Sequence, residues 1–220
     1  MLLLFSSFSP AFEPTLARFT TALKAKKRVV LLLQGGPDHD EYLPQYLEPL
    51  KNLGIENVKV IIPPCTDEEV AEAITKADGV FIGGGQTARY VELYSGVLVR
   101  LALRKHLELN RPLAGLSAGA IVLTKNIVDE ESAQVLKGLD FVPNYGLLPH
   151  FDSDYGLADL ARRATTLACP TLGLEEEAVL LRIEQGPWQN IGTGSVWRLA
   201  TAPGRGYRLD EYGPGVTFGQ

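Results

Sequence analysis

Ser117, His150 and a run of three glutamates are the residues of this 220-residue chain whose types and spacing could break an acyl bond. Ser117 stands between two glycines in Gly115-Leu116-Ser117-Ala118-Gly119, after an apolar run and before Ala120-Ile121-Val122-Leu123. The pattern predicts strand, tight turn and helix, with Ser117 at the apex in strained backbone that demands small neighbours. Such an elbow holds a hydroxyl clear of the sheet and sets the Ala118 N–H at a helix start, where it can stabilise an oxyanion. A serine is a poor nucleophile at its own pKa and needs a base within hydrogen-bond reach. His39 falls in a polar loop, and His106 closes a predicted helix, where a lone histidine reads as a surface or helix C-terminal residue. His150 is the only histidine after Ser117, stiffened by Pro149 before it, and is the expected base. Glu175-Glu176-Glu177 separates two apolar strands; an acidic run is usually a solvated corner, but one carboxylate turned inward would orient an imidazole.

The elements that must position these groups alternate. An opening strand from Leu2 precedes a helix over residues 13–26 with Leu16, Phe19, Thr20 and Leu23 on one face. The continuous apolar strand 29–33 ends in the loop 34–40, and a helix carrying Tyr42, Tyr46, Leu50 and Leu53 closes at Gly54. A strand follows at 58–62, and Thr66-Asp67-Glu68-Glu69 has the form of a capping box opening a helix to Ala77. Strand 79–82 runs into Gly83-Gly84-Gly85-Gln86-Thr87, with helices at 88–94 and 97–106 before the elbow. Beyond it the chain turns acidic at 129–131. A helix is expected at 157–167, strands at 171–174 and 178–183, and short antiparallel strands thereafter that close one edge. Strand–helix alternation is the pattern of a doubly wound α/β sheet, whose ligands lie beyond the strands' carboxyl ends. The glycine turn and the elbow both fall there. The turn lacks the Gly-x-Gly-x-x-Gly and Gly-Lys-Ser/Thr patterns of phosphate loops, which leaves either a plain tight turn or an oxyanion loop donating through Gly84 or Gly85.

Composition narrows the function class. A hydrophobic content of 45% sustains a full core, and one domain over 1–220 is expected. A net charge of -5, with no basic stretch longer than that at residues 24–28, speaks against a nucleic-acid partner and for small-molecule chemistry. No later apolar stretch reaches the roughly 20 residues that span a bilayer, and the opening stretch lacks the basic flank of a signal peptide, so the chain reads as cytoplasmic without a membrane partner. Cys65 and Cys169 are isolated and read as buried thiols, with neither a disulfide nor a metal site suggested.

Taken together, the opening Leu2-Leu3-Leu4 strand, the 83–87 turn, the 115–120 elbow, Pro149-His150-Phe151 and Gly173-Leu174-Glu175-Glu176 resemble the peptidase E (aspartyl dipeptidase)/cyanophycinase family of serine peptidases. The resemblance covers nearly the whole chain. It implies a flavodoxin-like α/β scaffold and a Ser–His–acid hydrolase needing no metal or cofactor, with Ser117 as nucleophile and His150 as base. It also suggests a homodimer acting on small peptides. Glu176 falls on the family's Gly-Leu-x-Glu pattern and is preferred over Asp129 as the acid. Recognition of an N-terminal aspartate would need a cation, for which Arg89, Arg162 or Arg163 are candidates. Asp152 and Asp154, just beyond the base, would instead attract a free α-amine. The order Ser, His, acid disfavours a classical α/β-hydrolase esterase, in which the histidine comes last. A catalytically silent flavodoxin-like binding module is the non-enzyme alternative.

Overall fold

The computed structural model describes residues 1–220 apart from 25, 38, 203–205 and 220. Ala25 of the predicted first helix and Asp38 of the expected 34–40 loop therefore lie outside the described residues. Five strands run parallel: β1 (Leu2–Phe5), β2 (Val29–Leu32), β3 (Val58–Ile61), β4 (Gly79–Ile82) and β5 (Leu113–Leu116), in spatial order β3-β2-β4-β5-β1. Their alternate residues feed two cores. Leu2, Leu4, Val30, Leu32, Val80 and Ile82 face α3 (Asp67–Lys76), α4 (Thr87–Tyr94), α5 (Val97–Glu108) and α6 (Ala118–Val122). Leu3, Phe5, Val29, Leu31, Phe81 and Leu116 face α1 (Phe12–Thr21) and α2 (His39–Asn52). Cover on both faces is why these strands read as unbroken apolar runs.

The expected capping box opens α3, with the Glu69 N–H donating to Thr66 Oγ1 and the Thr66 N–H donating to Glu69 Oε2. α1 stops short of the predicted span, and His39 begins α2 instead of lying in a loop. Residues 126–137, read only as an acidic turn, form a hairpin of β6 (Asn126–Val128) and β7 (Val135–Lys137). After β8 (Gly146–Leu148), α7 (Leu157–Leu167) and β9 (Thr171–Leu174), the chain returns to the large sheet as β10 (Val179–Arg182), antiparallel to β1, extended by β11 (Trp188–Asn190). The later strands do not all close one edge, as the sequence suggested. β12 (Val196–Ala202) and β13 (Gly206–Tyr212) join β9 and β8 in a second, four-stranded sheet, and only β14 (Thr217–Phe218) adds to the first, making eight strands. α7 packs on the second sheet through Leu160 and Ala164 against Leu148, Phe151 and Leu199.

Three side chains differ in burial from the sequence reading. Cys65 and Cys169 are only partly buried, although burial still raises both thiol pKa values. His106 does sit in the last turn of α5, but it is 2% exposed, with Nε2 3.0 Å from the Pro112 carbonyl. That carbonyl only accepts, so Nε2 carries a proton. Burial depresses the His106 pKa from 6.5 to about 4. Between those values the unfolded chain binds a proton that the folded one does not, so stability falls as pH drops from about 6.5 to about 4. The loss is about 3 kcal/mol. Urea unfolding at a series of pH values should show this slope, and His106→Gln should flatten it.

Candidate active site

The elbow is built by two glycines. Ser117 lies at φ 49° and ψ -113°, outside the ordinary regions, with its N–H donating to the Phe5 carbonyl (2.9 Å) and its own carbonyl accepting from Ala120 and Ile121. A Cβ on Gly115 would come within 2.4 Å of the Gly119 carbonyl oxygen, and one on Gly119 within 2.2 Å of the Ile82 carbonyl oxygen. β5, α6 and the end of β4 therefore touch backbone to backbone. Ala118 is the first residue of α6, so its amide has no intrahelical acceptor.

Each glycine of the 83–85 turn has a separate reason. A side chain on Gly83 would collide with the Tyr46 hydroxyl, which reaches past it to accept the Gly84 N–H at 2.7 Å. Gly84 faces the elbow, where a Cβ would sit 3.6 Å from the Ser117 Cβ, and its carbonyl accepts from the Tyr90 hydroxyl. Gly85, at φ 144°, lies under the Gln34 side chain, whose Oε1 accepts the Gln86 N–H. Of the two turn amides offered as partners to Ala118 in holding an oxyanion, that of Gly84 is thus occupied by Tyr46, while the Gly85 N–H has no protein acceptor among the described residues. Around Ser117 the loops after β1, β2, β4 and β5 enclose a cleft of about 410 Å³. Its walls are Phe8, Gln34, Tyr42, Tyr46 and Leu116, with Ser7, Gly84, Gly85, Ser117 and His150 completing the lining.

His150 comes to this cleft from the second sheet. It follows β8 at φ 59°, with its N–H on Ser6 Oγ (3.0 Å) and its carbonyl accepting from Asp154 and Tyr155. Ser6 Oγ in turn donates to the Leu174 carbonyl, and a Cβ on Gly173 would meet the Phe151 ring at 2.8 Å, so β9 needs glycine there to seat the residue beside His150. His150 Nε2 is 3.0 Å from Ser117 Oγ, and Nδ1 is 2.8 Å from Glu176 Oε1. A carboxylate only accepts, so Nδ1 carries the proton of a neutral ring and Nε2 is left to accept from the Ser117 hydroxyl.

Only one of the three glutamates turns toward the imidazole. Glu175 accepts from the Ser195 N–H and Trp197 Nε1, and Glu177 from the Thr193 hydroxyl. Glu176 Oε1 accepts from His150 and from Ser153 Oγ, while its backbone is pinned by Ser7 Oγ on the carbonyl and by Asp152 Oδ1 on the N–H. Burial pushes the Glu176 carboxyl up, but the hydrogen bonds of Ser153 and His150, with the nearby Ser7 hydroxyl, together prevail and hold its pKa below the usual value. Asp129, the other candidate, accepts from Ser132 in the turn of the β6–β7 hairpin.

The residues expected to read the substrate are not brought together. Arg89 pairs with Glu92 and Arg162 with Asp159 on exposed helix faces, Arg163 is buried against the Leu147 carbonyl and Glu130, and Asp152 is spent on the Glu176 N–H. None of these, nor Asp154, lines the cleft. Sequence reasoning missed Ser6, Ser7, Phe8, Gln34 and Ser153, and it placed Tyr42 and Tyr46 only as a helix face. Among the described residues no group of three or more His, Cys, Asp or Glu side chains could hold a metal ion, and no helix is long and apolar enough to cross a membrane.

Residues 2–187 match the model of peptidase family S51. The chain belongs to that family. Within it, this S51 chain is 26% identical over 120 residues to peptidase E of Shewanella denitrificans, covering 52% of the chain and 49% of the relative. It is 33% identical over 112 residues to peptidase E of Shewanella amazonensis, covering 50% and 45%. The S51 chain thus matches about half the length of these curated relatives. The crystal structure of a peptidase from an acI-B1 actinobacterium superposes over 99% of this chain and 95% of its own, with a TM-score of 0.76 at 20% identity. A putative peptidase E from Listeria monocytogenes covers 87% and 97%, with a TM-score of 0.66 at 16% identity. At these identities the two structures establish a shared fold, the mixed α/β arrangement with a mostly parallel central sheet that the sequence led us to expect.

Proposed function

We propose that the chain is a serine exopeptidase that hydrolyses dipeptides or short peptides through Ser117, His150 and Glu176. The observation that carries this reading is the unbroken chain of contacts from Ser117 Oγ to His150 Nε2 at 3.0 Å and from His150 Nδ1 to Glu176 Oε1 at 2.8 Å, opening on a cleft. Membership of a peptidase family and the name peptidase E borne by its relatives agree with it. In the proposed reaction Ser117 Oγ attacks the scissile carbonyl as its proton passes to His150 Nε2, and Glu176 balances the imidazolium that results. The Ala118 and Gly85 N–H groups hold the oxyanion. His150 then gives its proton to the leaving amine, and a water, deprotonated by the same nitrogen, releases the acyl group. A cleft of about 410 Å³ has the size of a pocket for a small ligand, which suits a peptide of two or three residues.

The test pairs labelling with turnover. A fluorophosphonate probe should label folded protein at Ser117 and fail to label Ser117→Ala. Free dipeptides should be cleaved and their N-acetylated forms should not. An unlabelled Ser117 would reject the nucleophile, and equal cleavage of acetylated peptides would reject the exopeptidase reading.

A further inference from the structure

We infer that the cleft beside Ser117 selects an uncharged aromatic or large aliphatic substrate side chain, with Phe8, Tyr42, Tyr46 and Leu116 as its specificity-determining walls. The inference deepens the peptidase reading and rests on it. Among the described residues no arginine, lysine, aspartate or glutamate lines this cleft. Its ionisable groups are His150, already engaged with Ser117 and Glu176, and the phenols of Tyr42 and Tyr46. Burial raises the Tyr46 pKa, which keeps that wall neutral. Tyr42 donates to the Gly35 carbonyl, and Tyr46 holds the Gly84 N–H, so both rings are fixed with their hydroxyls turned to backbone.

The aromatic wall continues outward. Phe8 meets Tyr46 edge to face at 4.7 Å and Phe12 at 4.9 Å, yet Phe8 itself is 36% exposed at the cleft, where an apolar side chain would cover it. Gln34 is the one side-chain amide in the lining. Its Oε1 is taken by the Gln86 N–H, which leaves Nε2 to donate to a neutral acceptor such as a peptide carbonyl. A substrate carboxylate entering here would exchange water for ring edges with no cation in reach, the circumstance in which burial of a charge is most costly. Arg89 and Arg162, the cations that could have offset that cost, are paired with carboxylates three residues away on their own helices.

Hydrolysis of Phe-Leu, Leu-Leu and Asp-Leu by the wild-type protein should give kcat/KM for Phe-Leu above that for Asp-Leu on the order of 100-fold. Phe8→Arg places a cation at the exposed mouth and should raise the Asp-Leu to Phe-Leu ratio at least about tenfold. Calorimetric binding of the same dipeptides to Ser117→Ala reads the preference without chemistry. If neither dipeptide is hydrolysed but Ser117→Ala still binds Phe-Leu over Asp-Leu, the peptidase reading fails and the cleft assignment stands. If Asp-Leu binds or is cleaved as well as Phe-Leu, or if Ser117→Ala binds neither, the cleft assignment is overturned.

Discussion

Alanine at Ser117 or at His150 is expected to lower kcat on the order of 10⁴ to 10⁶-fold, and the double variant should be scarcely slower than either single one. In the proposed mechanism the two groups act as a unit. Without the hydroxyl there is no acyl-enzyme, and without Nε2 the hydroxyl at 3.0 Å has no acceptor for its proton. Additive losses would mean that the two residues work in separate steps. A His150→Ala protein retaining more than about a tenth of wild-type turnover would place the base elsewhere, and among the described residues no other histidine reaches the cleft. Circular dichroism should report an unchanged fold for Ser117→Ala, since among the described residues its hydroxyl is bonded only to His150.

Glu176→Gln is expected to lower kcat by about 10³ to 10⁴-fold with KM nearly constant. The amide removes the charge that stabilises the imidazolium, and an NH₂ turned to Nδ1 would move the ring proton to Nε2, where it blocks acceptance from Ser117. Asp129→Asn should stay within about twofold of wild type, because that carboxylate caps Ser132 in a hairpin turn and has no contact with the imidazole. The comparison is sharp because both changes remove one charge from one carboxylate. A milder loss at Glu176 than at Asp129 would exchange their roles.

The parallel strands and the elbow were legible because their causes are local. Leu2–Phe5, Val29–Leu32 and Leu113–Leu116 are apolar at every position, as cover on two faces requires, and Gly115 and Gly119 show the close approach around Ser117 directly. The position of Glu176 between two strands was legible for the same reason. The second sheet was not, because β8 and β9 are parallel strands joined through α7, and nothing in β12 tells which sheet it will pair with. The cleft walls were hidden for a different reason. Tyr46 shows the spacing of a core residue, and its hydroxyl finds the Gly84 amide 38 residues away, a contact with no sequence pattern behind it. The arginines did carry a warning: Glu92 lies three residues after Arg89 and Asp159 three before Arg162, the spacing at which helix side chains pair with each other.

The Ser117 hydroxyl rides on the eight-stranded sheet, whereas the His150 imidazole and the Glu176 carboxylate follow β8 and β9 of the four-stranded one. If these three residues carry the proposed reaction, turnover is a gauge of how the two sheets are seated. Ser6 acts as the rivet, joining β1 to His150 and Leu174 through a single oxygen. A slip of about 1 Å between the sheets would leave every strand paired, yet is expected to cost about 100-fold in rate. Substitutions under α7, at Leu160 or Ala164, which pack against Leu148 and Phe151 on either side of His150, should then lower turnover well before any probe of bulk secondary structure registers them.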